Sequence, residues 1–439
     1  MSPSTPRQWP ATLTVEPIRC ASGTVQLPGS KSLTNRALLL AALADGTTTL
    51  TNVLEAEDTR VMIDALRALG VTITEDDSGT RLRGCAGAFP ERKAELFLGN
   101  AGTAMRSLAA ALAFAGGSYR LDGVPRMRER PIGDLVEALN ALGARVAYAG
   151  QAGYPPLRIE PARLAGSNDV DIRGAVSSQF VSGLLMAGPQ IAPPAGLRIH
   201  VPGTLISQPY VAMTVALMGR FGVDVRRTDA ASGCTFHVPR AAYRAAGRFA
   251  IEGDASSASY FLALGALAGG PIRVLGAGSE SVQGDVGFAH LLEAMGARVA
   301  WGPDWIETSS GALLRGVDYD CGPIPDAAMT ATLVALFAHG RTRLRGIGSW
   351  RVKETDRIAA MATELGKLGA NVGTGPDWLA LDGPVAVRAA EIDTYDDHRI
   401  AMCFALAAAG GIQVVIRDPR CVGKTFPTFF DVLASVART

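Results

Sequence analysis

Groups able to do ionic chemistry recur at one kind of place along this chain, the start of a predicted helix. Lys31-Ser32, Asn100, Ser177-Ser178-Gln179, Asp326 and Asp397-His398-Arg399 open one set of helices. Arg130, Ser207-Gln208-Pro209-Tyr210, Lys353-Glu354-Thr355-Asp356-Arg357 and Lys424 open a second set. A helix N-terminus presents unbonded N–H groups and a partial positive charge, so it suits anions. Cations placed there strengthen the preference: Arg forks onto carboxylates and Lys serves phosphate as a point charge. Each group also has an ordinary structural reading. Ser177-Ser178, Asp326 and Asp397 can be N-caps. Lys353, Glu354 and Arg357 can form an exposed, salt-bridged helix face. PGSKS, from Pro28, resembles a phosphate loop but lacks the GxxxxGK[ST] spacing. None of these readings explains why the groups keep returning to the same structural point.

The elements that must position them form a sixfold repeat. Small-residue helices ending near glycine begin at Asn35, Gly102, Ser177, Ser256, Asp326 and Asp397, each followed by a short β-like run. Between them lie amphipathic helices such as LVEALNALGARV and FAHLLEAMGARV. Their glycines, Gly70, Gly143, Gly222, Gly296 and Gly369, are spaced by 73, 79, 74 and 73 residues. Glycine is the expected residue just past a helix end, and leucines at i, i+3 and i+4 form the buried stripe. FFDVLASVA at the C-terminus reads as a sixth copy cut short. A period near 70 residues exceeds a solenoid unit and fits a βαβ-type unit with an added hairpin. Six copies predict two pseudo-threefold domains, with the small, uncharged helices packed centrally. If the units share an orientation, their helix starts converge on a cation-lined cleft.

Bulk properties exclude several classes. Forty-two Lys+Arg against 41 Asp+Glu give a net charge of +1, unlike the basic excess of a nucleic-acid binder. Cys20, Cys85, Cys234, Cys321, Cys403 and Cys421 form no CxxC, and five scattered histidines offer no zinc spacing. Reduced, mostly buried thiols in a cytoplasmic protein are expected. MSPSTPRQWP lacks a basic segment followed by an apolar run, so no signal peptide is expected. The uncharged stretch between Arg173 and Arg198 holds Gln179, Pro189, Gln190, Pro193 and Pro194; it reads as a core helix plus loop, not a membrane span.

The segments LPGSKSLTNRALLLAAL, LGNAGTAMR, PRMRERPIG, SSQF, SQPY, IPDAAMT, WRVKETDR, DDHRIAMCF and GKTFP resemble, in order and nearly end to end, the 5-enolpyruvylshikimate-3-phosphate synthase family. The pattern is nearer its glyphosate-sensitive class. The resemblance implies an α/β fold of two inside-out domains, each of three βαβ-type repeats. One domain spans 30–250; the other joins 1–29 to 251–439. It implies two substrates, shikimate 3-phosphate and phosphoenolpyruvate, with glyphosate as inhibitor. It implies no metal, no organic cofactor, no nucleic acid and no membrane, and a monomer is expected.

Carried over by residue, Lys31, Ser32, Arg36, Ser177, Ser178, Gln179, Ser207, Tyr210, Asp326, Ser349 and Lys353 match shikimate 3-phosphate contacts. Lys31, Gly102, Arg130, Gln179, Arg357, Arg399 and Lys424 match the phosphoenolpyruvate site. Asp326 and Glu354, with Lys31, match the proton-transfer groups. Thr34 stands where the family has Ser, Ser349 where Asn is common, and Ser107 where the sensitive pattern has Pro.

Two rivals are weighed. A sister enzyme acting on a UDP-amino sugar uses a Lys-Asn pair and a loop cysteine. Here Lys31 precedes Ser32, and no cysteine lies near Arg130. A non-catalytic anion-binding repeat protein would not need Asp326 and Glu354 among so many cations.

The resemblance also implies closure of the two domains on shikimate 3-phosphate, a ligand favouring whichever state it binds better. The radius of gyration from small-angle scattering is expected to fall at saturating ligand; an unchanged radius counts against closure.

Overall fold

The structure, a computed structural model, describes residues 9–164, 166–311 and 313–439. The first eight residues of the segment read as lacking a signal peptide lie outside the described residues. The chain divides into two compact units: Gly29–Glu252, and the stretch up to Pro28 together with Gly253–Thr439.

One topology recurs in both units. Strand Lys93–Phe97, helix Gly102–Leu112 and strand Ser118–Asp122 make a βαβ unit with neighbouring parallel strands. Helix Gly133–Ala141 then leads into a hairpin, Arg145–Tyr148 with Leu157–Glu160. The second hairpin strand pairs antiparallel with Ser118–Asp122. The same strand order recurs in the sheet from Asp169–Asp171 to Arg226–Ala230 and in that from Asp318–Asp320 to Val372–Thr374. This is the expected βαβ unit with an added hairpin.

Distant strands close the set. Arg248–Ala250 runs parallel to Thr47–Thr51 and completes the first sheet of its unit. In the other unit Cys20–Gln26 runs parallel to Gly269–Leu275. The C-terminal copy is cut short, as read, and the N-terminal strands complete it. Thr12–Val15 pairs antiparallel with Val414–Arg417, which itself runs parallel to Ala390–Ile392. Helix Phe429–Val436 ends in Ala437–Arg438, which pairs with Cys20 and Ala21. The N-terminus supplies what the last repeat lacks.

Helices fill the centre of each unit because their residues are small and apolar. Lys31–Leu43 buries every residue except Ser32, and Ala255–Leu267 every one except Leu267. Ala328–Ala335 and His398–Ala405 are buried throughout. Each buried leucine stabilises by about 1.5–3 kcal/mol. Strands instead alternate, Leu197–Pro202 facing the core with every second residue. Helices inside and sheets outside are the inside-out α/β arrangement expected from the sequence. The five spaced glycines have φ of 84°, 95°, 81°, 103° and 106°. A side chain in that left-handed region costs roughly 1–2 kcal/mol, which explains glycine at these helix ends. Among the described residues no helix is long and apolar enough to cross a membrane.

Candidate active site

Each unit assembles its own polar cluster. In Gly29–Glu252, Ser30 caps the helix Lys31–Leu43 and Lys31 becomes its first residue. Lys31 is buried, with Nζ 3.3 Å from Asp58 Oδ2 on helix Glu57–Ala68. One turn on, Arg36 is buried among neutral partners. It donates to Thr214 Oγ1 at 2.7 Å, the Ser32 carbonyl at 3.0 Å, and Ser182 Oγ and the Tyr210 carbonyl at 3.5 Å. Burial pulls its guanidinium down from 12.5 to about 10, Tyr210 opposing, so it remains charged at neutral pH. A buried cation held only by hydroxyls and carbonyls is suited to an incoming anion.

Gly102 opens the next helix without a side-chain cap. A Cβ there would lie 2.6 Å from Arg130 Nη2 and 3.0 Å from Arg106 Nη1, so only glycine leaves both guanidiniums in place. Arg130 is buried and donates to the carbonyl and side-chain oxygens of Asn100 at 2.9 and 3.0 Å. Ser177 is the N-cap of Ser178–Ile191, its Oγ accepting from the Gln179 N–H at 3.3 Å. The cap reading of Ser177 is therefore right, and it leaves Ser178 and Gln179 in the first turn. Ser207 stands at the N-cap position of Gln208–Arg220 without a side-chain capping bond, at φ 50°, ψ 44°, left-handed backbone that costs a non-glycine residue of order 1–3 kcal/mol.

The second cluster lies in the other unit and centres on Arg357, 1% exposed. Its guanidinium reaches Asp397 Oδ2 at 2.7 Å, Glu354 Oε2 at 2.8 Å and Asp326 Oδ1 at 3.1 Å. Burial alone would lower its pKa; Asp397, Glu354 and Asp326 outweigh it and raise it. Asp326 is also 3.4 Å from Lys353 Nζ and 3.1 Å from Arg399 Nη2. Burial lowers the Lys353 ammonium pKa, and Arg357 and Arg399 push the same way against Asp326 and Glu354. Asp397 caps its helix through the Arg399 N–H at 3.0 Å. Arg399 Nη1 donates to the Tyr260 hydroxyl at 3.3 Å.

Three expectations are corrected. Asp326 is not a helix cap; Ala327 holds that place without a side-chain bond, and the Asp326 carboxylate is taken by Lys353, Arg357 and Arg399. Lys353, Glu354 and Arg357 are not an exposed face; the helix begins at Arg357 and Glu354 is buried. Arg130, Lys353 and Lys424 do not open long helices. Each stands at the end of a short 3-10 turn, Pro125–Glu129, Gly348–Val352 or Pro419–Lys424. Ser349 lies in the middle one, half-buried.

Sequence reasoning missed several members. Asp58 reaches Lys31 from a helix 27 positions away. Ser182 and Thr214 hold Arg36. Trp350 Nε1 donates to the Pro325 carbonyl at 2.6 Å and so fixes the segment carrying Asp326. Only Trp350, the first residue of the WRVKETDR segment, offered a signal.

The profile of EPSP synthase (3-phosphoshikimate 1-carboxyvinyltransferase) matches residues 15–433. The chain belongs to this family. A 3-phosphoshikimate 1-carboxyvinyltransferase of Nitrosomonas europaea is 56% identical across 98% of this chain and 99% of its own length. One from Thiobacillus denitrificans is 58% identical across 95% and 97%. The solved EPSP synthase of Acinetobacter baumannii superposes with a TM-score of 0.80 at 26% identity, covering 98% of each chain. The enolpyruvyl transferase NikO of Streptomyces tendae, at 19% identity and a TM-score of 0.75, shares the fold.

The Thr34 Oγ1 accepts from the Leu54 N–H at 3.3 Å. Ser107 lies in the second turn of Gly102–Leu112. Its Oγ donates to the Thr103 carbonyl at 2.7 Å, a back-bond to the preceding turn.

Proposed function

We propose that this chain transfers the enolpyruvyl group of phosphoenolpyruvate to the 5-hydroxyl of shikimate 3-phosphate and releases phosphate, in the shikimate pathway of aromatic amino-acid synthesis. The observation that carries the residue assignment is the cluster around Arg357. Two candidate proton-transfer carboxylates, Asp326 and Glu354, share that guanidinium at 3.1 and 2.8 Å, with Lys353 and Arg399 against Asp326. A bed of cations alone would suit anion storage; carboxylates embedded among them suit proton movement beside anionic substrates.

In this reading Glu354 gives a proton to the methylene carbon of phosphoenolpyruvate, and Asp326, with Lys31, takes the proton of the 5-hydroxyl. The hydroxyl oxygen bonds to the central carbon, giving a tetrahedral ketal. Loss of a proton from the new methyl group then expels phosphate and leaves the enol ether. Phosphoenolpyruvate's own anionic groups compete for the donors of Arg357. A carboxyl relieved of part of that attraction takes up a proton more readily. Gly102, Arg130, Gln179, Arg357, Arg399, Lys31 and Lys424 are assigned to phosphoenolpyruvate. Lys31, Ser32, Arg36, Ser177, Ser178, Gln179, Ser207, Tyr210, Asp326, Ser349 and Lys353 are assigned to shikimate 3-phosphate. The six unpaired cysteines suit a reducing cytoplasm, where we expect a monomer.

Mixing the protein with both substrates is expected to release inorganic phosphate, and neither alone should do so. No release with both, or release when a UDP-amino sugar replaces shikimate 3-phosphate, rejects the assignment. Turnover is expected to persist in a chelator, because cations of the protein already neutralise the substrate charges. Activity abolished by the chelator and restored by Mg²⁺ or Zn²⁺ overturns this.

Ser107 supports a further expectation, about glyphosate. Ser107 keeps both its N–H and its hydroxyl for the turn that begins at Gly102, whereas proline would supply neither and would crowd the Thr103 carbonyl. Ser107→Pro therefore resets the start of this helix, where Gly102 is wedged against Arg130 and Arg106. Glyphosate is longer than phosphoenolpyruvate and feels that boundary more. The Ser107→Pro variant is expected to bind glyphosate more tightly than the parent, with a smaller change in the KM for phosphoenolpyruvate. Equal inhibition constants, or weaker inhibition of the variant, reject this.

A further inference from the structure

Helix Arg357–Lys367 carries a second buried charged side chain, Glu364, seven positions after Arg357 and so on nearly the same face. Glu364 is fully buried, and three donors converge on it. The Tyr395 hydroxyl donates to Oε1 at 2.7 Å, and the Asp393 N–H to Oε2 at 3.1 Å. Lys367 Nζ lies 2.7 Å from Oε2 and also 2.7 Å from Asp393 Oδ2.

The segment held this way runs from strand Ala390–Ile392 into helix His398–Ala405. Tyr395 and Asp396 are consecutive non-glycine residues with φ of 54° and 53°. Left-handed backbone of this kind persists only where its surroundings over-determine it. Here one helix fastens both ends of the segment: Glu364 takes Asp393 and Tyr395, and Arg357 takes Asp397 at 2.7 and 3.2 Å. Tyr395 is 41% exposed, so its anchor is the hydroxyl bond to Glu364 and not core packing.

We propose that Glu364 is a positioning residue for phosphoenolpyruvate: it holds the Asp393–Asp396 turn, which sets Arg399 and, through Asp397, Arg357. The inference rests on the reaction proposed above, which assigns those two arginines to phosphoenolpyruvate. Glu364 touches neither. Glutamine replaces it only in part: its one acceptor oxygen can keep Asp393 and Lys367 and its NH₂ can donate to the Tyr395 hydroxyl, but the buried negative charge opposite the Lys367 ammonium is lost.

The test is steady-state kinetics of the full chain, wild type beside Glu364→Gln and Tyr395→Phe, with a thermal melt of each. Glu364→Gln is expected to raise the KM for phosphoenolpyruvate about tenfold, the scale of one lost buried charged hydrogen bond. Tyr395→Phe is expected to raise it less. The KM for shikimate 3-phosphate should change little in either. Tyr395→Phe removes a single oxygen and carries the test if Glu364→Gln does not fold. Wild-type protein that releases no phosphate rejects the reaction, and the inference falls with it. Wild-type turnover with an unchanged phosphoenolpyruvate KM in the folded variants overturns the inference alone. So does an equal rise in both KM values accompanied by a lower melting temperature, the signature of a merely structural role.

Discussion

Asp326→Asn and Glu354→Gln are each expected to lower kcat by about 10²- to 10⁴-fold, the usual contribution of general acid–base catalysis. Both substitutions keep side-chain size and one acceptor oxygen. Glutamine at 354 can still accept from Arg357 Nη2, where Glu354 now does at 2.8 Å. Asparagine at 326 gives up charge beside Lys353, Arg357 and Arg399, but the phosphate and carboxylates of bound substrates supply negative charge to the same cations. Binding of shikimate 3-phosphate should therefore change far less than turnover. Single-turnover phosphate release and calorimetric binding of shikimate 3-phosphate separate the two effects. Near-normal turnover by Glu354→Gln would remove Glu354 from the mechanism; normal turnover by Asp326→Asn would remove Asp326.

Arg357→Met is expected to cost stability as well as activity. Arg357 is buried and joins Asp326, Glu354 and Asp397, all within 3.2 Å. Methionine fills similar space but leaves three carboxylates crowded together with less compensating charge. Removing one partner of a buried ion pair typically costs about 3–5 kcal/mol. For a folding unit of this size each kcal/mol lowers Tm by roughly 2–4 °C. Arg357→Lys keeps the charge but cannot fork to three carboxylates, so its Tm should fall less while its activity still drops sharply. Thermal melts and kcat/KM of both variants check this. A methionine variant that melts with the wild type would mean the three carboxylates tolerate one another without Arg357, and the cluster would lose its central role.

Much of the fold was legible because its signals are local. A glycine past a helix end needs only the geometry of its own turn, so the 73-to-79-residue period of Gly70, Gly143, Gly222, Gly296 and Gly369 could be read directly. Uncharged Ala- and Leu-rich helices announced the interior, since such surfaces must leave water. The caps at Ser177 and Asp397 were also visible, each bonding two residues along the chain.

By itself the sequence determined the repeat, the kinds of residue at each helix start and, through its long motifs, the family. Only the tertiary structure decided which of those residues meet. Asp326 looked like a cap until Lys353, Arg357 and Arg399 were seen to take its carboxylate. The pairing of Thr12–Val15 with Val414–Arg417 was not visible in either segment alone. Asp58, Glu364 and Trp350 carried no local sign of their partners Lys31, Tyr395 and Pro325. The physical reason is the same in each case. Capping and helix periodicity act over three or four residues and leave a pattern in the chain, whereas an ion pair depends on distance in space, which the packing of separate elements sets.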